Sequence, residues 1–142
     1  MNRNFFIFIL LALFSLANAN NYETCSTLSM TFSKSSVLNV NYSPDPVGSQ
    51  GYITFDTYHN LSADGFFVTE FTQIEYQYSS DNGQYAATVV HKVRNVGADE
   101  VLQTDSIGFP SDLTPPFQMI VILSELVPYY VHGCVKFIGL IK

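Results

Sequence analysis

Three histidines are the side chains of this sequence best suited to proton transfer or metal binding. His59, His91 and His132 lie far apart, and neither they nor the two cysteines have the spacing of metal ligands. The sequence also lacks the Gly-x-Ser-x-Gly turn that carries the nucleophile of many hydrolases. We therefore expect no catalytic residues, no metal and no cofactor, although a triad of distant residues stays open. His91 alternates with Val89 and Val93 on an apolar face, which favours a structural histidine.

Cysteines and sequons indicate the chemistry of a secreted chain. An even number of cysteines in an oxidising compartment favours a disulfide, here between Cys25 and Cys134, with two buried free thiols as the alternative. The sequons NYS at Asn41 and NLS at Asn60 predict two N-glycosylation sites. Asn60 is the better acceptor of the two, because a proline directly follows the first sequon.

The N-terminus has the pattern of a secretory signal peptide. Arg3 supplies the positive charge, residues 5–14 form an apolar run, and ANA at residues 17–19 is a small-residue cleavage site. The alternative is a membrane anchor, which needs about 20 apolar residues. We expect residues 1–19 to be removed, residues 20–142 to form a single domain, and the protein to be secreted or to reside in the endolysosomal lumen.

The charge of this domain excludes one class of partner. Residues 20–142 keep all twelve acidic residues of the chain but only five basic ones, which gives a formal charge of −7 at neutral pH. Binding to nucleic acid needs clustered cations, so we do not expect a nucleic acid partner.

Period-two alternation of apolar and polar residues predicts a β protein. Strands are predicted over residues 27–32, 36–42, 52–58, 66–78, 84–93, 117–127 and 131–141, with a short one at 101–104. In the run from residue 66, Val68 and Ile74 share one face while Phe71 falls on the other, which predicts a bulge. Seven or eight strands without helices predict an all-β antiparallel sandwich. The pattern leaves open whether the two sheets close on each other or stand apart around a ligand.

Two stretches resemble the ML lipid-recognition domain family. YSPDPVGSQGYITFDTYHNLS, from residue 42, is similar to the family's early signature, and FPSDLTPPFQMIVILSE, from residue 109, is similar to its closing signature together with CVKF at residues 134–137. The spacing of Cys25 and Cys134 matches the family's bridge between its first and last strands. The resemblance is best marked over residues 22–62 and 107–142. It is closest to the phosphatidylglycerol/phosphatidylinositol transfer proteins and more distant from the lysosomal sterol-binding Niemann-Pick type C protein.

This resemblance implies an immunoglobulin-like sandwich whose sheets enclose an apolar cavity. It also implies a monomeric carrier that binds one phospholipid or sterol and transfers it between membranes through transient membrane contact. The alternative is a secreted adhesion or co-receptor module without a lipid.

The candidate cavity residues come from the resemblance and from the alternation pattern. A double proline stands beside the cavity entrance in the family, which places Pro115 and Pro116 at the mouth. Alternation and nearness in sequence add the other members of the wall and mouth: Ile53, Phe55, Phe109, Leu113, Phe117, Met119 and Val121. An ordinary core position is the simpler explanation for any single apolar member, so the prediction concerns the set. Phe117 stands where relatives have glycine.

Overall fold

The computed structural model describes residues 22–25, 36–43, 51–80, 82–108, 113 and 116–140. The predicted signal peptide, the predicted strand at 27–32, Phe109 and Pro115 lie outside these residues. Among the described residues, no helix is long and apolar enough to span a membrane.

The described residues form nine β-strands and include a 3-10 turn at Ser62–Asp64. The strands are β1 (Tyr22–Thr24), β2 (Ser36–Val37), β3 (Asn39–Ser43), β4 (Tyr52–Asn60), β5 (Thr72–Ser80), β6 (Tyr85–Lys92), β7 (Glu100–Gly108), β8 (Phe117–Leu126) and β9 (Tyr129–Leu140). The structure adds the short strand β1 and divides the predicted strand at 36–42 into β2 and β3.

The strands belong to two sheets. The larger sheet has the order β1-β9-β8-β5-β6, with β2 also paired to β9, and the smaller sheet has the order β3-β4-β7. All pairs are antiparallel except the short β2–β9 pair. Side chains from both sheets join one buried apolar core. The prediction of an all-β antiparallel sandwich is therefore confirmed.

The pairing of the long strands shows which strand ends lie together at each end of the sandwich. At one end β4 and β8 finish and β5, β7 and β9 begin; we call it the phenylalanine end. At the other end β5, β7 and β9 finish and β8 begins just after Pro116; we call it the proline end.

A disulfide joins Cys25 to Cys134, with a Cα–Cα distance of 5.7 Å. It lies on the outer face of the larger sheet, where both cysteines pack with Ile122 and Val131. The predicted disulfide is therefore present, and it fastens β1 to β9.

Two strand predictions are corrected. β5 begins at Thr72 rather than at Phe66, so Phe71 precedes the strand and its change of face needs no bulge; the irregularity of β5 lies at Tyr78/Ser79 instead. β7 is longer than the predicted short strand at 101–104. Its inward positions include the polar residues Gln103 and Asp105, which obscure the alternation pattern.

Candidate functional site

Five of the predicted wall residues meet in the interior between the sheets. They are Ile53 and Phe55 on β4 with Phe117, Met119 and Val121 on β8, and all five are fully or almost fully buried in the same apolar core. They face inward because alternate residues of a strand project to one side of a sheet.

Of the remaining candidates, the structure describes Leu113 and Pro116. Leu113 is partly buried and packs against the core. Pro116 is exposed and directly precedes β8, as expected for a residue that has no backbone donor for the sheet. Phe109 and Pro115 are outside the described residues.

Aromatic side chains that the sequence did not single out add to this interior. Tyr76 stacks on Phe55 with 4.9 Å between ring centroids, and Tyr42 meets Phe137 edge-on at 5.1 Å. Such pairs contribute about 0.5–1.5 kcal/mol beyond the area that they bury. The alternation of Tyr76 with Ile74 and Tyr78 was the available signal, since it places them on the inward face of β5.

The polarity of the interior changes along the length of the sandwich. Gln73 and Ser124 are buried on the outer face of the larger sheet, where both bond Glu75. The other buried polar side chains of the described residues lie in the half nearer the phenylalanine end or near the middle: Thr57, His59, Thr72, Gln103, Asp105, Glu125 and His132. The half nearer the proline end is lined by apolar and aromatic side chains: Ile53, Phe55, Tyr78, Ile107, Phe117, Met119, Phe137 and Leu140. Apolar side chains such as Leu61, Val68, Ile74, Val101 and Leu123 are buried toward the phenylalanine end as well. We call this mixed part of the interior the polar half and the part nearer the proline end the apolar half.

Asp105 is the centre of a hydrogen-bond network between the two sheets. Its Oδ2 accepts from Tyr76 Oη and Gln103 Nε2, each at 2.8 Å, and its Oδ1 lies 2.9 Å from His91 Nδ1 and 3.3 Å from Arg94 Nη2. Burial alone would raise the pKa of Asp105, but the hydrogen bonds from His91, Gln103 and Tyr76 outweigh it and hold the pKa below its usual value. The same burial, with the nearby carboxylate, raises the pKa of Tyr76.

This network joins the two sheets. Tyr76 and His91 belong to β5 and β6 of the larger sheet, whereas Gln103 and Asp105 belong to β7 of the smaller one. The network therefore connects one edge of the larger sheet, at β6, with one edge of the smaller sheet, at β7.

Two histidines lie in the polar half. His59 is on the inward face of β4, and His132 lies on β9 at the irregularity in its pairing with β8. Burial lowers the pKa of both imidazoles. Neither ring nitrogen of His132 has a hydrogen-bond partner among the described residues, although its side chain is only 2 % exposed.

A serine and a histidine meet here without the geometry of a nucleophile and its base. Ser36 Oγ donates to the backbone oxygen of His132 at 2.8 Å and lies 3.2 Å from His59 Nε2. Because the hydroxyl proton is directed to that carbonyl, Oγ accepts from His59 rather than donating to it. In the part of the chain that the structure describes, no group of three His, Cys, Asp or Glu residues could hold a metal ion.

The phenylalanine end carries an exposed apolar surface around a pocket of about 560 Å³. We define the phenylalanine patch as the apolar residues that line this pocket: Phe66, Phe67, Phe71, Val96, Val127 and Pro128. Other exposed hydrophobic residues beside it are Leu126, Tyr129 and Tyr130. The ring of Phe66 contacts Tyr130 at 4.9 Å and His132 at 4.8 Å between centroids. Sequence reasoning missed this surface because it assigned Phe66 to Phe71 to a strand.

Glu125 fixes the segment that carries the phenylalanines. Its carboxylate accepts hydrogen bonds from the hydroxyls of Thr69 and Thr72, and Thr72 Oγ1 also accepts from the backbone N–H of Thr69 at 2.8 Å. Phe71 N donates to Thr69 Oγ1 at 3.0 Å, which closes a tight turn before β5. The backbone of the segment is therefore tied to the end of β8.

These features define an all-β sandwich with an apolar interior, a cross-sheet polar network and an exposed apolar patch at one end. The chain matches no model of a known protein family, and no curated protein matches it.

Proposed function

We propose that this protein, as a relative of the ML lipid-recognition domain family, binds a single lipid between its sheets and carries it between membranes. The observation that carries the proposal is the apolar half of the interior, to which both sheets contribute side chains. Each buried methylene of a lipid contributes about 0.8 kcal/mol, so hydrocarbon is held in such a place without a charged group. A phospholipid or a sterol satisfies this requirement.

The disulfide supports the cellular part of the proposal. Bonds such as Cys25–Cys134 persist in oxidising compartments, in agreement with a secreted or endolysosomal carrier. Asn41 and Asn60, the proposed glycan acceptors, are both exposed.

Lipid analysis of the natively purified protein tests the proposal. We expect mass spectrometry of an organic extract to find lipid and protein in equimolar amounts. We also expect the delipidated protein to take up labelled phospholipid or sterol from vesicles. A protein that carries no lipid and takes none up is not a carrier.

The variant Val121→Trp separates a carrier from the alternative adhesion or co-receptor module. Val121 is fully buried on the inward face of β8, so an indole there occupies the space proposed for the lipid. In a carrier the variant folds and loses its cargo. In a module whose interior is filled by protein side chains, overpacking costs about 1–3 kcal/mol and lowers the unfolding midpoint. Val90→Trp, on an exposed position of β6, is the matched control.

A further inference from the structure

The phenylalanine patch gathers apolar surface at one end of the sandwich. Phe66, Phe67 and Phe71 are 39 %, 58 % and 41 % exposed, and no other phenylalanine of the described residues is exposed. Contiguous exposed apolar surface around a pocket is typical of an interaction site. The hydrogen bonds of Glu125 hold this surface in place, so it does not depend on a flexible loop.

The distribution of polar side chains in the interior also indicates the phenylalanine end, as the place where a lipid headgroup would lie. A lipid in the sandwich places its hydrocarbon in the apolar half and its headgroup near the buried polar side chains, which lie toward the phenylalanine end. His132 has two ring nitrogens without partners among the described residues. Phe66 lines the pocket and also contacts the ring of His132, so its side chain separates the pocket from this imidazole. A headgroup that displaced Phe66 would supply the missing hydrogen-bond partner.

The charges around the pocket select the membrane. None of the residues that line it is lysine or arginine, whereas Glu70 and Glu125 are among them. A cation, Lys92, bonds the backbone next to the pocket, with Nζ 3.4 Å from the backbone oxygen of Glu70. Anionic bilayers are bound by clusters of basic residues, which are missing from this lining. Choline headgroups are cationic at their outer end and are attracted to aromatic faces and carboxylates.

We propose that the protein docks on bilayers of choline phospholipids through its phenylalanine end, and that the lipid passes beneath Phe66. The choice of a membrane as partner rests on the proposed function, whereas the choice of surface rests on the patch and the polarity of the interior. The resemblance to the ML family placed the entrance beside the double proline. This proposal places it at the opposite end of the sandwich.

Vesicle flotation tests the docking surface. The full protein is mixed with phosphatidylcholine vesicles, or with equimolar phosphatidylcholine and phosphatidylglycerol. We expect binding to the pure phosphatidylcholine vesicles, and we expect the double variant Phe67→Ser, Phe71→Ser to weaken it by at least about tenfold. The matched control is Tyr52→Ser, Tyr58→Ser, which removes two aromatic side chains of similar exposure from β4 and leaves binding unchanged.

Lipid uptake by Phe66→Ala tests the doorway. Removal of the ring that covers His132 is expected to speed the uptake of fluorescent phosphatidylcholine several-fold, with no change in Tyr52→Ala at the proline end. Circular dichroism establishes that both variants are folded. An uptake rate that is unchanged in Phe66→Ala places the doorway elsewhere.

Other outcomes separate this inference from the proposed function. Copurified lipid without binding to phosphatidylcholine vesicles, or binding that survives Phe67→Ser, Phe71→Ser, overturns the docking surface but not the carrier. Vesicle binding that depends on both phenylalanines, in a protein without lipid, supports the surface but overturns the carrier and the doorway. Preference for the anionic vesicles, or a dimer that the double variant dissociates, shows that the patch has a different partner.

Discussion

At the scale of single residues, Asp105 shows how one polar side chain connects the two sheets. It lies on the inward face of β7, where a strand of a sandwich normally carries an apolar residue. Four side chains contact its two oxygens, and they come from both sheets and from Arg94 after β6. A buried carboxylate is tolerated when it is paired and hydrogen-bonded in this way.

We expect Asp105→Asn to destabilise the protein by about 3 kcal/mol. The substitution replaces one carboxylate oxygen, which accepts hydrogen bonds, with an amide nitrogen, which cannot accept them from the surrounding donors. Urea unfolding followed by tyrosine fluorescence measures the change. The control Asp56→Asn alters an exposed aspartate that accepts from Thr104 Oγ1 at 2.6 Å, and we expect at most about 0.5 kcal/mol there. Equal losses in the two variants would contradict a special role for the buried network.

At the scale of elements, alternation identified the strands whose inward faces are apolar. β4 and β8 were predicted closely because Ile53, Phe55, Met119 and Val121 recur at every second position. β7 was underestimated because Gln103 and Asp105 occupy inward positions, where only the tertiary network makes polar residues acceptable. Local pattern cannot show a network whose partners lie on other strands.

The segment before β5 shows the opposite error. Its aromatic and β-branched residues have high strand propensity, and the sequence reading extended the strand over them. In the structure the hydroxyls of Thr69 and Thr72 bond Glu125 at the end of β8 and close a turn instead. The exposed phenylalanines therefore could not be recognised as a surface from the sequence, whereas the inward-facing apolar residues of β4 and β8 could.

Thr72→Val tests whether these bonds hold the patch in place. Valine has nearly the shape of threonine but cannot donate to Glu125 or accept from Thr69 N. We expect a loss of about 1–2 kcal/mol in the free energy of unfolding and faster amide hydrogen exchange over residues 66–71. Thr54→Val is the control, since it removes only an exposed bond to Ser106 Oγ. Unchanged exchange over residues 66–71 would show that packing alone fixes the segment.

At the scale of the whole molecule, the division of the interior into a polar and an apolar half links stability to function. The apolar half is proposed to hold hydrocarbon, and the polar half contains His59 and His132 at the end proposed to meet the membrane. Alternation in the sequence predicted which apolar residues of β4 and β8 face this interior. It did not predict the polar half, since His59 and His132 are brought together only when β4 faces β9 across the two sheets.

The two buried histidines make the stability of the molecule depend on pH. Burial lowers their pKa from 6.5, so the unfolded chain takes up protons below about pH 6.5 while the folded chain does not until the pH is lower. The free energy of unfolding therefore falls as the pH decreases from 6.5, by about 1.4 kcal/mol per pH unit for each proton by which the two states differ. Asp105 contributes at lower pH, because its lowered pKa gives stability that is present above about 3.8 and is lost below.

We expect His132→Leu to remove part of this dependence on pH. The substitution deletes two buried nitrogens without partners among the described residues, so the variant should be at least as stable as the wild type at pH 7.5. Between pH 6.5 and 4.5 it should lose stability less steeply, because one of the two histidines whose pKa is lowered by burial is then absent. Urea titrations at several pH values measure how the free energy of unfolding changes with pH in the wild type and in the variant. We expect the double variant His59→Leu, His132→Leu to show the smallest change. If the free energy of unfolding of His132→Leu depended on pH as steeply as that of the wild type, acid would destabilise the sandwich through other groups.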